Sequence, residues 1–364
     1  MGLGMQAFAS DTLVCNIKRN SNWAFYGTDR PTAMLSLVNY RQIEREFNIV
    51  CNISDSKGNE LYELAHKGSI PARDSSLLSF SFRSISPGFY NMSFSNNGKA
   101  SGSMNISYEP DKILAGKDVK KGEKEDFLYF AHKVALERRD LKPQFVLLRN
   151  RDLSGRERNV YNFSMVSYGE ETVTGYMAFP KGKKQLPVLV TLVPEEGRSG
   201  NVLGDFTAPE GCAELVVYLR KRGRLGERTA ALLSDMLLAI DFVAQRDEID
   251  NSSIFVQGTG YAGACAFVAS VLDDGVAGSF VCSPDFSDFT GRYSESSVGK
   301  NVSAPVILGT GLQRDIAVLQ ECFSIYNNIP GDKEYFVDPS GTGIGRKEWK
   351  SVIDRAIKKL GFRQ

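Results

Sequence analysis

Histidine is nearly missing from this 364-residue chain: His66 and His132 are the only two, and none follows residue 132. Chemistry that needs an imidazole to take a proton therefore has only these two positions to use. No stretch approaches the ~20 consecutive apolar residues of a membrane-spanning helix, so no membrane span is expected. Neither charge sign is in excess. The 44 Lys+Arg against 43 Asp+Glu leave a net charge of +1, which excludes a strongly basic polyanion binder but not a local basic patch. Cysteine is sparse, at positions 15, 51, 212, 265, 282 and 322. With no CxxC and no close pair, these six make neither a disulfide-rich scaffold nor a zinc site. No phosphate-binding or dinucleotide-binding glycine motif is complete. No metal, cofactor or nucleic-acid partner is expected.

What is present is core-forming material. Apolar residues make up 42% of the chain, enough for a substantial interior, and the length suits about two domains. The first ten residues end in Ala7-Phe8-Ala9-Ser10. This small-x-small pattern reads as the remnant of a signal peptide, and it predicts a secreted, periplasmic or cell-surface protein.

Residues 11–109 offer short alternating segments at 33–39, 47–54, 60–65, 77–85, 89–95 and 103–108. Turn signals interrupt them at Lys57-Gly58, Pro87-Gly88 and Asn97-Gly98. Period-2 runs at this spacing, without a convincing helix, predict an all-β, immunoglobulin-like sandwich. Its Trp23, Phe25 and Tyr26 read first as sheet packing and second as a carbohydrate-stacking platform. Residues 110–142 read as a charged linker and a docking helix over 126–138, with His132 off its apolar stripe of Phe127, Phe130 and Val134. From 143 to 364 the pattern changes to continuous apolar strands, as in Pro187–Val193 and Glu214–Leu219, alternating with amphipathic helices near 229–246, 262–272, 314–328 and 346–360. That alternation predicts an α/β layer with a mostly parallel sheet and flanking helices.

Within this second half, strand 253–257 runs into Gly258-Thr259-Gly260-Tyr261-Ala262-Gly263 and then a small-residue helix. The segment resembles the nucleophile region of the α/β-hydrolases, and more narrowly that of the acetyl xylan esterase/cephalosporin-C deacetylase family. Leu219-Arg220-Lys221-Arg222-Gly223-Arg224-Leu225-Gly226 is similar to that family's Arg-Gly-x-Gly turn. Ala244–Asp250 is similar to the exit of its next helix, and Val173–Pro180 to the strand before its first core strand. The resemblance spans about 145–364 and implies a carboxylic-ester hydrolase with a Ser-His-Asp triad.

The residues that reaction needs are missing. Acyl transfer uses an activated hydroxyl, an imidazole, a carboxylate and donors for the oxyanion. In the register set by the glycines, the resemblance places Gly260 where the serine belongs, Arg314 where the acid belongs and Thr342 where the histidine belongs. Asp315 lies one residue from the acid position. Its bland reading is a carboxylate favoured by a helix N-terminus. The oxyanion turn is replaced by Pro194-Glu195-Glu196, and Pro194 brings no N–H. The excursion that would cap a substrate pocket after Gly226 is absent.

These observations predict a pseudo-esterase acting as a binding or scaffold module, with carbohydrate or another protein as partner. The alternative is an active carbohydrate acetyl esterase or other hydrolase with relocated groups. Glu195, Glu196, Asp285, Asp288 and Asp315 are its candidates, with Ser199 and Ser283 nearby in strand-end loops. Candidate binding residues are Arg220, Arg222 and Arg224 in the densest basic run, Tyr261 beside the empty nucleophile position, and Trp23 and Tyr26 in the sandwich. A solvated turn is the simpler reading of the basic run.

Overall fold

The computed structural model describes residues 8–9, 13–18, 23–83, 86–114, 127–137, 144–197, 202–220, 224–290 and 298–361. Most of the signal-peptide remnant, the linker 115–126, Ser199 and Arg222 lie outside the described residues. The chain divides into two compact units. The first holds the described residues up to Leu114 together with Gly311–Phe323 and Asp338–Thr342, and the second holds the rest.

The first unit is built from nine strands: β1 (Phe8–Ala9), β2 (Val14–Lys18), β3 (Ala24–Phe25), β4 (Thr32–Val38), β5 (Arg45–Asp55), β6 (Glu60–Ile70), β7 (Ser75–Ser81), β8 (Gly88–Asn96) and β9 (Lys99–Tyr108). They form two sheets, ordered β1-β2-β4-β7 and β3-β9-β8-β5-β6. All pairs are antiparallel except β3–β9. Burial alternates along β4 and β5, as expected when one face of each strand is covered. Leu35, Leu37 and Phe80 from one sheet join Ile49, Ile53, Met92 and Ile106 from the other in one buried cluster. The Asn97-Gly98 turn has both residues at positive φ, 49° and 77°, which matches the right-handed twist of the hairpin strands it joins. Three short strands, β1, β2 and β3, precede the first segment read from the alternation.

The second unit is organised by one sheet of nine strands: β10 (Phe145–Asn150), β11 (Arg158–Val166), β12 (Thr172–Pro180), β13 (Leu186–Pro194), β14 (Ala213–Leu219), β15 (Ile249–Thr259), β16 (Val276–Cys282), β17 (Val306–Gly311) and β18 (Lys333–Asp338). Their order is β10-β11-β12-β14-β13-β15-β16-β17-β18. The pairs from β14 through β13, β15 and β16 to β17 are parallel, while β10, β11 and β12 join antiparallel. Every residue of β14 is buried, the pattern of a parallel strand covered on both faces.

Helix α1 (Phe127–Glu137) is short, α2 (Val202–Asp205) is a single turn, and α3 (Leu225–Ala244) starts directly after Arg224. Helix α4 (Tyr261–Leu272) follows β15, and α5 (Ser287–Thr290) follows β16. After β17 come α6 (Ile316–Asn327), which belongs to the first unit as far as Phe323, and α7 (Arg346–Gly361). Trp349, Ile353 and Ile357 of α7 pack on Leu189, Phe255, Phe280 and Ile307, covering one sheet face. Helix α1 turns Ala131 and Val134 inward, leaves Phe130 half-buried and exposes Tyr129, His132 and Leu136.

Candidate functional site

The strand-to-helix turn after β15 is the centre of interest in the second unit. Gly260 has φ 63° and ψ −132°, a backbone state that costs an L-residue energy and that glycine adopts freely. Its N–H donates to the Cys282 carbonyl, and its own carbonyl accepts the N–H groups of Ala264 and Asp285, each at 3.1 Å. The turn closes because its neighbours lack side chains. A Cβ on Gly258 would lie 2.2 Å from the Ala262 oxygen, and one on Gly263 would lie 3.0 Å from the carbonyl oxygens of Cys282 and Gly258. A Cβ on Gly260 would meet nothing within 4 Å. The turn thus has the shape that raises a nucleophile above a sheet, with open space where the side chain would stand and no hydroxyl to fill it.

Tyr261, the next residue, is buried. Its hydroxyl oxygen accepts the Glu195 N–H at 3.3 Å and lies 3.1 Å from both the Glu196 carboxylate and the Leu219 carbonyl, one of which takes its proton. Burial, and then the Glu196 charge, push the phenol well above its ordinary pKa. The Glu195 N–H is the first donor after β13, where acyl-transfer sites of this shape place an oxyanion donor. Here the tyrosine occupies it.

The relocated carboxylates are also engaged. Asp285 accepts the Ser287 N–H at 3.0 Å, capping α5. Asp288 is fully buried and ion-paired with Arg228, and its carbonyl accepts the Thr229 hydroxyl at 2.8 Å. Asp288 is thus interior, while Asp285 is half-buried in the connection before α5. Glu196 is exposed beside Tyr261, and Glu195 is half-buried.

The basic run departs from the solvated turn. Arg220 is only 6% exposed. Its Nε and Nη2 donate to the two oxygens of Asp235 at 3.1 and 2.7 Å, and Nη1 donates to Glu171 at 2.5 Å. Arg220 is therefore committed to the interior, while Arg224 is exposed.

The other degenerate positions lie in the first unit. Arg314, Asp315 and Thr342 line a cleft of about 720 Å³ together with Asn91, Asn105 and Gln313. Its floor is a clasp. The Asn105 amide donates to the carbonyls of Leu312 and Arg314 at 2.8 and 2.6 Å, its N–H donates to Gln313 Oε1 at 3.0 Å, and Gln313 donates to the Pro339 carbonyl at 3.0 Å. Asp315 accepts the Ala317 N–H at 2.7 Å and so caps α6, the bland role. Thr342 is exposed and carries no group able to act as a base at neutral pH.

Trp23 and Tyr26 do not form a platform. Trp23 is half-buried with its ring edge-on to Phe323, and Phe25 points into the core. Tyr26 is partly exposed and donates its hydroxyl to Asp111 at 3.2 Å. Among the described residues, the most exposed aromatic ring of the sandwich strands and their loops is Tyr40, which no periodicity singled out. His66 is exposed on β6, its ring edge-on to Phe80 and Nε2 3.3 Å from the Ser79 carbonyl. Among the described residues, no three His, Cys, Asp or Glu side chains group to hold a metal. No helix there is long and apolar enough to cross a membrane.

No protein-family profile matches the sequence, and no curated protein matches it. Solved structures do. The acetyl xylan esterase from Paenibacillus sp. R4 superimposes with a TM-score of 0.59 at 18% identity, over 69% of this chain and 98% of that one. Acetyl xylan esterase 1 from Thermoanaerobacterium sp. JW/SL YS485 does so with a TM-score of 0.58 at 14% identity, again over 69% and 98%. The fold is that of an α/β-hydrolase. At these identities the likeness establishes the fold, and the chemistry rests on the residues.

Proposed function

We propose that this chain is a non-catalytic α/β-hydrolase, a pseudo-esterase that keeps the hydrolase fold and serves as a secreted binding or scaffold module for a carbohydrate or protein partner. The observation that carries the reading is Gly260: the strained turn persists, open above and without a nucleophile. The tyrosine hydroxyl on the Glu195 N–H supports it, because an occupied donor offers a developing oxyanion nothing. The buried Arg228 pairing of Asp288 and the capping role of Asp285 count against a relocated acid–base pair. The immunoglobulin-like character of the sandwich and export through the Ala7-Phe8-Ala9 signal belong to the same proposal.

The test is turnover of p-nitrophenyl acetate by the full chain and by Gly260→Ser. A serine fits the open space, and its sparsely populated backbone conformation costs about 1–3 kcal/mol, so the variant is expected to fold. Both proteins are expected to stay at the buffer rate, since a serine hydroxyl without a base is a weak nucleophile. Turnover well above buffer in the unmodified chain, abolished by Glu195→Gln, Glu196→Gln or Asp285→Asn, would overturn the proposal in favour of relocated chemistry.

A further inference from the structure

The cleft at one end of the sandwich has a composition that the hydrolase reading leaves unexplained. Two connections meet there, the one after β4 and the one between β6 and β7. They enclose about 420 Å³ lined by Val38, Asn39, Tyr40, Arg73, Asp74 and Ser75. Asn39 is completely buried and stitches the two loops together. Its amide nitrogen lies 2.9–3.0 Å from the carbonyls of Ile43, Ile70 and Pro71, and its Oδ1 accepts the Arg41 N–H at 3.0 Å. The backbone adds two ties, from Asn39 N–H to the Asp74 carbonyl at 2.9 Å and from Arg73 N–H to the Arg41 carbonyl at 3.0 Å. Loops fixed this firmly lose little entropy when they bind something.

On that rigid frame stand Tyr40, Arg73 and Asp74, which line the cleft. Tyr40 is 71% exposed. Arg73 is held at φ 57°, a left-handed conformation that is costly for a long side chain and that clusters at functional sites. Asp74 lines the cleft and uses one carboxylate oxygen to accept the Ser75 N–H at 2.7 Å. The set therefore offers one amphipathic ring, a forked cation, a carboxylate oxygen and a hydroxyl.

Ligand chemistry follows from this mixture. Arg73 and Asp74 cancel in charge, which disfavours a simple anion or a nucleic-acid backbone. A mainly apolar ligand would call for an apolar pocket. A sugar ring presents an apolar C–H face to an aromatic ring and hydroxyls that both donate and accept at its edge. We infer that the Tyr40–Arg73–Asp74 cleft binds the end of an oligosaccharide chain, with a sugar face on Tyr40 and its hydroxyls taken by Arg73 and Asp74. This rests on the reading of the chain as a binding module and gives that module a site and a ligand class.

The full chain is titrated calorimetrically with cellohexaose, xylohexaose, chitohexaose and hexagalacturonate, alongside three variants whose thermal unfolding is also measured. At least one sugar is expected to bind. Tyr40→Ala should weaken it by about tenfold or more, while Tyr40→Phe, which keeps the ring, should retain it. Arg73→Gly should also weaken binding by about tenfold, yet leave the unfolding midpoint level or raised, because glycine relieves the positive φ. A residue with a purely structural role would not lose binding while gaining stability. Failure of all four sugars to bind overturns the inference, as does binding that survives both Tyr40→Ala and Arg73→Gly. Loss on Tyr40→Ala of a protein ligand only, with no sugar bound, overturns it too. Ester turnover on the same proteins separates the two readings: hydrolysis with intact Tyr40-dependent binding sinks the pseudo-esterase and leaves the cleft standing.

Discussion

Replacing Glu214 by leucine is expected to destabilise the hydrolase-like unit by about 4 kcal/mol, measured as the shift of its urea or thermal unfolding transition. Glu214 is the second residue of β14, a strand buried along its whole length, and is 1% exposed. Its carboxylate accepts the Thr191 hydroxyl at 2.5 Å, the Thr207 N–H at 2.9 Å, the Thr207 hydroxyl at 3.0 Å and the Ala208 N–H at 2.8 Å. Gln257 extends the network by donating to Thr191 Oγ1 at 2.9 Å and to Thr207. One side chain thus ties the 206–208 segment to three neighbouring strands. Leucine would leave two backbone donors and two hydroxyls without this acceptor, each buried one costing about 1–3 kcal/mol before relaxation.

Glutamine is expected to cost less, because its carbonyl oxygen still serves the backbone donors while its amide can donate to Thr191. It should also flatten the pH dependence. Burial raises the Glu214 pKa in the folded state, and the four donors only partly oppose this. A raised folded value means the folded chain holds its proton more tightly than the unfolded one. That contribution is complete below the unfolded pKa and is lost as pH rises through the folded pKa. The unmodified protein should therefore lose a little stability between mildly acidic and neutral pH, and Glu214→Gln should lack that slope.

The contrast between what composition reveals and what packing decides is clear at individual positions. The run Pro187–Val193 is apolar but for Thr191, and such a run has few stable homes other than a strand covered on both faces. The Gly258-Thr259-Gly260 turn was readable because its glycines are demanded by backbone approach and by positive φ, both local requirements. Arg220 was not readable. Among Lys221, Arg222 and Arg224 it looks like one more solvated charge, and its partners lie 15 and 49 residues away in the chain. Trp23 and Tyr26 failed as a pair for a similar reason. The sequence displays aromatic rings but not which way they face, and the ring against Trp23 is supplied by Phe323 from the far end of the chain. Tyr40 escaped notice because it lies just past the end of an ordinary alternating strand. Only the hydrogen bonds of Asn39 reveal that the loop it begins is held rigid. Short strands such as β3, with two residues, carry no period to detect.

Arg220→Met should destabilise the same unit by about 3–5 kcal/mol, and the route of the loss separates a structural arginine from a ligand-binding one. Asp235 is wholly buried and takes both forks of the guanidinium, with the Ser167 hydroxyl donating to it at 2.5 Å. Burial raises the Asp235 pKa, and Arg220 is the main influence holding it down. With Arg220 gone, the carboxylate must either stay charged in an apolar surrounding or take up a proton. Its folded pKa then moves further above the unfolded value, so the protonated form contributes stability at acidic pH that is lost as pH rises. The deficit of Arg220→Met relative to the unmodified chain should shrink as pH falls, because the orphaned carboxylate then takes up a proton. Pairing it with Asp235→Leu should recover much of the loss at neutral pH, since removing both charges avoids the orphaned one. A stability unchanged by Arg220→Met would return this residue to the surface patch that its neighbours Lys221 and Arg224 imply, and would make it a candidate for binding an acidic partner.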